Sequence, residues 1–403
     1  MRKSAAMPAR RLLVVLAGIV LAALVIVVNA SYFEDPLDPA TAVSIMPWGA
    51  LANADAAEQA FEARRYDEAE RLARRSLDRS LVNISALRVL GLSKEAANPD
   101  DRGVVPIMLL ASRLGWRDVP TNLWLIDAFL QAHEYGLAVQ RADALLREEE
   151  EAGRVFSVLR LTAADPVARK PVVTTLLGQP KWRPGIFSAD ALGKDEATGI
   201  EAIVDDLHRS AAPPTRSEMA TLIGTLIRSN DFDRAYRLWR LTTPGSAPLV
   251  YDGRFIQAAR VAAANEDGIP FEWTVRGGSA SATIGYAPDG EGGVLVTPPG
   301  MMARKVITQL VHLPSGAHRL RVVAKHVGKG DASSLAWSLE CVVKRTNILG
   351  QPSYDTSKAG MVSIYYTFTV PDSDCAFQQL SLSLVPPMGG HDPQFSIDGV
   401  GLF

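Results

Sequence analysis

Few residues of this chain have the types and spacing that chemistry needs. His391 and Asp392, in PPMGGHDPQ, set an imidazole beside a carboxylate in a glycine- and proline-rich segment, as a catalytic or calcium-binding loop would. An ordinary polar turn between two strands uses the same residues. Tyr365 and Tyr366, in VSIYYTFTV, are adjacent on a strand pattern, so they point to opposite faces and one ring is outward, placed to stack on a ligand. Cys341 and Cys375 are the only two cysteines, a pair that closes into a disulfide in an oxidising compartment. Two separately buried thiols are the alternative. A structural zinc needs four ligands, and no CxxC or HxxxH supplies the remainder, so neither metal nor cofactor is expected.

The motifs of the common catalytic folds are missing: no HExxH, no GxSxG elbow, no GxxxxGK[ST] and no dinucleotide-binding glycine fingerprint. The glycines of RGGSASATIGYAPDGEGG have hairpin-turn spacing without the strand-to-helix context of a phosphate cradle. Two acids from distant strands would leave no sequence signature, which keeps a polysaccharide-acting hydrolase open as the weakest reading. The formal charge of −2 and pI near 6.3 provide no global field to gather phosphates, so nucleic acid is not expected as a partner.

With 403 residues the chain can build more than one core. Its start, MRKSAAMPARRLLVVLAGIVLAALVIVVNA, runs from Leu12 to Val28 without a charge, which as a helix reaches about 26 Å. Arg2, Lys3, Arg10 and Arg11 precede the run while Glu34, Asp35 and Asp38 follow it. The charge bias puts residues 1–11 in the cytoplasm and the bulk of the chain outside. The run reads as a transmembrane helix at 12–28, with a cleavable signal peptide as the alternative. Residues 29–52, with Pro36, Pro39 and Pro47, read as a linker.

From Asn53 to about residue 265 the apolar residues recur at steps of three and four, so this part is helical. Asp67 and Glu70 have capping-box spacing. Three segments share an outline: RRYDEAERLARR, HEYGLAVQRADALLR and NDFDRAYRLWRL, where an aromatic (Tyr66, Tyr135, Phe232) precedes an alanine (Ala69, Ala138, Ala235) by three residues. The alanines lie 138 − 69 = 69 and 235 − 138 = 97 positions apart, near multiples of ~34. The segment resembles a tetratricopeptide-repeat array, with Ala57 matching the small residue of a first helix and Ile126 and Ile223 departing from it. That resemblance implies an all-α solenoid whose inner surface docks a protein partner. Trp239 stands where such arrays place a large packing residue.

Residues 266–403 alternate as short strands between turn residues, eight of them from FEWTVRG to FSIDGVGLF. In HRLRVVAKHV, Leu320, Val322 and Ala324 make a core face, while Arg319, Arg321, Val323 and Lys325 make a largely wet one. Phe271, Trp273 and Val275 share one face of their strand, as do Trp337, Leu339, Cys341 and Val343; both tryptophans read as core. The block resembles galactose-binding-like jelly rolls used as carbohydrate-binding modules, through the strand LAWSLEC and the closing FSIDGVGLF with Asp398. The resemblance implies an all-β sandwich that contacts a glycan. The expectation is thus a single-pass bacterial inner-membrane protein with its bulk in the periplasm: a non-enzymatic scaffold whose repeats dock a protein and whose β-domain touches a polysaccharide during its assembly or export. A protein-only scaffold is the second reading.

Overall fold

The computed structural model describes residue 21 and residues 38–243, 248–264, 266–275, 282–286, 292–296, 303–326, 334–358, 361–385 and 395–403. Among them are thirteen α-helices and two antiparallel sheets, and the chain divides into two compact units at Val155/Phe156. The expected membrane span is corrected here. Among the described residues no helix is long and apolar enough to cross a membrane. The longest, Lys194–His208, has 15 residues and rises about 22 Å, short of a ~30 Å hydrocarbon core, and it carries charges along its length. The run 12–28 lies outside the described residues, apart from Leu21.

The first unit is a series of helices joined by short turns: α1 Pro39–Ile45, α2 Ala50–Glu62, α3 Tyr66–Leu77, α4 Ile84–Ala97, α5 Val104–Leu114, α6 Val119–Gln131 and α7 Tyr135–Arg147. Residues 39–45, read as linker, are helical because Pro39 is a starter rather than a breaker. Its ring pre-sets φ, and the Asp38 side chain accepts the Thr41 N–H. The same device opens α6, where Asp118 caps with Pro120 in the first turn.

The three similar segments fold alike at their entry turns. Arg64, His133 and Asn230 are all left-handed, with φ of 58°, 59° and 60°. In each turn that residue bonds back three positions and its successor five: Arg65 N–H to Ala60 O at 2.8 Å, Glu134 N–H to Phe129 O at 2.8 Å, and Asp231 N–H to Leu226 O at 2.9 Å. These bonds satisfy carbonyls left over at the end of the preceding helix. Ala69, Ala138 and Ala235 are buried, so the small residue sits at a close helix contact. The expected capping box is absent. Arg65 occupies the N-cap and Tyr66 begins α3, its ring centroid 5.4 Å from that of Phe61, which shifts Asp67 inside the first turn.

The second unit holds helices and both sheets. After α8 Ala152–Thr162, which crosses the division, come α9 Pro166–Leu177, α10 Lys194–His208, α11 Arg216–Arg228, α12 Phe232–Thr242 and α13 Ile256–Ala263. The proline-rich interruption between α9 and α10 contains a 3-10 turn, Arg183–Phe187, whose Ile186 and Phe187 are buried. Arg183 is buried with it. Its Nε donates to Glu218 Oε1 at 2.9 Å, and its remaining N–H groups reach the carbonyls of Leu176, Ala212 and Pro213. A buried ion pair survives only when its donors are satisfied in this way.

Ten strands follow among the described residues, where the sequence suggests eight: β1 Thr274–Val275, β2 Ala282–Tyr286, β3 Gly292–Val296, β4 Arg304–His312, β5 Gly316–His326, β6 Leu335–Cys341, β7 Ser353–Lys358, β8 Met361–Val370, β9 Phe377–Leu384 and β10 Phe395–Leu402. They form sheets of order β1-β4-β9-β6 and β2-β3-β10-β5-β8-β7 around one apolar core that includes Leu320, Val322, Ala324, Ile364, Leu382 and Ile397. Cys341 and Cys375 form a disulfide, compatible with an oxidising compartment. Phe271, Trp273 and Val275 do not share a face. Phe271 packs on α12, Trp273 meets Phe255 and Trp337 in the sandwich, and Val275 is exposed, because only the last two residues of FEWTV are strand.

One prediction concerns the entry turns. An arginine in the left-handed region is strained, whereas asparagine tolerates it. Arg64→Gly is therefore expected to raise stability by about 1 kcal/mol and Asn230→Gly by less. Urea denaturation of both variants checks the difference in sign and rank.

Candidate functional site

The six-stranded sheet turns one face to the core, and its other face carries the candidate site. Val400 and Leu402 of β10 are core residues, so Gly399 and Gly401 between them face outward. Gly399 pairs with Val323 of β5 and Gly401 with Arg321, while Arg321 in turn pairs with Tyr365 of β8. Gly399 leaves a recess over the β10 backbone beside Val323, while the Phe403 ring covers Gly401, where a Cβ would lie 3.1 Å from it. The guanidinium of Arg319 lies 4.3 Å from the Tyr365 ring centroid and that of Arg321 5.9 Å away. Stacking uses the guanidinium face and leaves the in-plane N–H donors available.

The recess has a wall. β10 bulges between Ile397 and Gly399, and its pairing with β3 stops at Ile397, which frees the Val400 N–H. Gly253 O accepts that N–H at 2.7 Å. Only glycine permits the approach, since a Cβ on residue 253 would lie 2.2 Å from Val400 O. The wall turns tightly there. Asp252 and Phe255 both have left-handed backbones, φ 52° and 59°, a strain that persists only where neighbours impose it.

Those neighbours are identifiable. Tyr251 meets Trp239 edge-on at 5.3 Å and its carbonyl accepts from Gln309 Nε2 at 2.8 Å. The Asp252 carbonyl accepts from Trp273 Nε1 at 3.1 Å, and its carboxylate accepts the Ala258 N–H at 2.7 Å, capping α13. Phe255 is fully buried, 5.0 Å from Trp273. Burial raises the Asp252 carboxyl above its usual range, with the charge of Glu272 adding to the shift, although backbone N–H groups of α13 oppose it. Burial likewise raises the Tyr251 phenol, again with Glu272 behind it.

Between wall and floor lies a cavity of about 370 Å³, lined by residues of 248–254 and 399–403 together with Arg321 and Val323. Its charge comes from Arg254 and Arg321, and the rest of the lining is glycine, proline, aliphatic side chains and Phe403. Among the described residues its lining includes no carboxylate, imidazole, thiol or hydroxyl side chain. Such a lining suits holding a ligand, with Arg254 and Arg321 to orient it.

Of the residues singled out from sequence, Tyr365 is the outward ring and stands at this site, half-buried beneath Arg319. Tyr366 faces the core at 4% exposure. His391 and Asp392 lie outside the described residues. His312 packs between Tyr236 and Phe377, at 4.9 Å from each, and His318 stacks on Phe368 with Nε2 2.8 Å from Pro314 O. Among the described residues no group of three or more His, Cys, Asp or Glu is gathered to hold a metal ion. The recess itself was missed in the sequence, although GVG carries its signal. Two glycines two apart on a strand strip the same face.

Compared with known proteins, the chain matches no protein-family model and no curated relative.

A prediction follows for Tyr366. Burial pushes its phenol up to about 12. The neutral form is favoured in the folded state, so its contribution is complete below the unfolded value near 10 and disappears as pH rises through about 12. Tyr366→Phe is expected to lose less stability than the parent chain between about pH 9 and 11.5. Equal losses in urea denaturation at those two pH values would show that Tyr366 is not the group responsible.

Proposed function

We propose that the chain is a non-enzymatic binding and scaffold protein of an oxidising compartment, whose β-sandwich contacts a glycan and whose helical pairs dock a protein. The observation that carries this reading is the recess on the outer face of the six-stranded sheet. It is concave, large enough for a ring-sized group, floored by backbone and supplied with cations. The carbohydrate-binding-module resemblance of residues 266–403 agrees with a sugar ligand, although fold analogy alone establishes none.

The protein-docking half rests on the first unit. The connections α1–α2, α3–α4 and α5–α6 close successive helical pairs on the same side, and they expose Trp48 at 62%, Leu81 at 79%, Val82 at 65% and Trp116 at 49%. The opposite connections carry Arg64, Asp100, Asp101, Arg102, His133 and Glu134, a polar set. Apolar side chains concentrated on one rim suit a protein contact, where tryptophan contributes most per residue. Together the two halves suit a role in assembling or exporting a polysaccharide.

The test is affinity electrophoresis of the full chain through gels containing different bacterial polysaccharides, alongside cross-linking in cells. The expected result is selective retardation in at least one polysaccharide. Retardation in none, with every cross-linked partner a protein, would favour the protein-only scaffold instead.

A further inference from the structure

The charge placed around the recess specifies more than a generic glycan. We infer that the recess takes the acidic unit of a polysaccharide, with the unit's carboxylate on the Arg321 guanidinium and its ring over the bare backbone at Gly399, beside the Phe403 ring that covers Gly401. This inference rests on the glycan reading above and names the class of glycan.

Three observations carry it. First, the outer face of β5 presents Arg319, Arg321 and Lys325, all exposed, along one strand. Among the described residues of β7, β8 and β10 the side-chain carboxylates of this face are Asp355 and Asp398; Asp398 is turned to its own strand, accepting the Ser396 hydroxyl at 2.5 Å. The cations therefore predominate at the cavity, where Arg254 adds a further one. Second, the Tyr365 ring lies beside both arginines, 4.3 Å from the Arg319 guanidinium and 5.9 Å from that of Arg321. A guanidinium ordered by stacking loses less freedom when its N–H edge closes bidentately on a carboxylate. Lysines on flexible stems would offer no such preorganisation.

Third, the shape separates a sugar from an acidic peptide. An extended peptide gains its affinity from main-chain hydrogen bonds along a free strand edge. Beyond the bulge, the β10 edge is not free, because Gly253 O already occupies the Val400 N–H. What remains open is the face, bare at Gly399 and flanked by Val323 and by the Phe403 ring that lies over Gly401. A flat apolar floor beside a cation matches a pyranose ring, which has a C–H face and one charged substituent.

The geometry also supplies a clean blocking variant. A Cβ at residue 399 would meet its nearest atom, Gly253 O, at 3.8 Å, an ordinary contact, so Gly399→Leu fills the recess without forcing the backbone. Arg321→Gln removes the charge while keeping the length of an amide side chain on an exposed position. The experiment is isothermal titration of the full chain, its thermal melting recorded for each variant, with four probes: oligogalacturonate, neutral dextran oligosaccharide, polyglutamate and inorganic phosphate. The expected result is binding of oligogalacturonate that weakens roughly 10- to 100-fold in Arg321→Gln and in Gly399→Leu, both melting as the parent does. Phosphate is expected to compete weakly, and dextran and polyglutamate to bind at least tenfold more weakly than oligogalacturonate.

Oligogalacturonate binding that both variants retain would overturn the site. Dextran binding equal to that of oligogalacturonate would overturn the acidic class while leaving the glycan reading standing. Equal binding of polyglutamate, or phosphate bound as tightly as the uronate, would overturn the saccharide assignment in favour of an acidic peptide or a phosphate group. No binding of either saccharide would remove the inference, and the electrophoretic survey over other polysaccharides then decides separately whether the glycan reading survives.

Discussion

Trp239 of α12 lies on Phe271 with ring centroids 5.3 Å apart, and it meets Tyr251 edge-on at the same distance. Tyr236, one helical turn earlier, is 5.4 Å from Phe271 and 5.9 Å from Phe377. Through these rings α12 is fixed to the β-sandwich. Rings of this size bury on the order of 150–250 Å² each, enough to outweigh the cost of ordering the segments that bear them. Arg216 of α11 adds a polar tie, pairing with Glu272 and Glu266, while the Ser217 hydroxyl donates to Asp267 at 2.7 Å. The tight turn at 251–255 depends on this joint. It contains two strained residues, and it keeps its position because Tyr251 is held by Trp239 and Phe255 by Trp273. Without the turn, Val400 would lose its partner and the recess its wall.

The alternation of HRLRVVAKHV was legible because a strand with one core face leaves a period of two, and Leu320, Val322 and Ala324 are indeed the buried set. The turns at Arg64, His133 and Asn230 were legible as a shared outline, since local hydrogen bonding repeats with local sequence. The pairing of Cys341 with Cys375 was one of two readings of the two cysteines, and the disulfide is the one that forms. Other features depend on partners distant in the chain. Nothing near Phe271 says that it packs on a helix rather than in the sandwich. Nor does the proline-rich segment 178–190 reveal that Arg183 lies buried against Glu218, 35 positions away. The strand SYDTSK at β7 lacks apolar alternation because it is an edge with Tyr354 exposed, and propensity is weakest at edges. The expected span at 12–28 lies outside the described residues, and no described helix takes its place.

The recess shows how an absence of side chains can make a site. Gly399 and Gly401 weaken β10 as a strand, and the bulge beside them gives up ladder bonds to β3. The Phe403 ring fills the space over Gly401, and Gly399 stays open. The wall then restores one of the lost bonds from outside the sheet, through Gly253, and in doing so turns a defect into an enclosed face. Arginines stacked on Tyr365 bring charge to that face without burying it, which avoids the desolvation cost of an enclosed cation.

The most direct measurement is hydrogen–deuterium exchange of the full chain with and without oligogalacturonate. The account predicts protection concentrated in residues 248–254, 319–323 and 399–403, the segments that enclose and line the recess. Protection that leaves these segments unchanged while appearing elsewhere in the chain would contradict it.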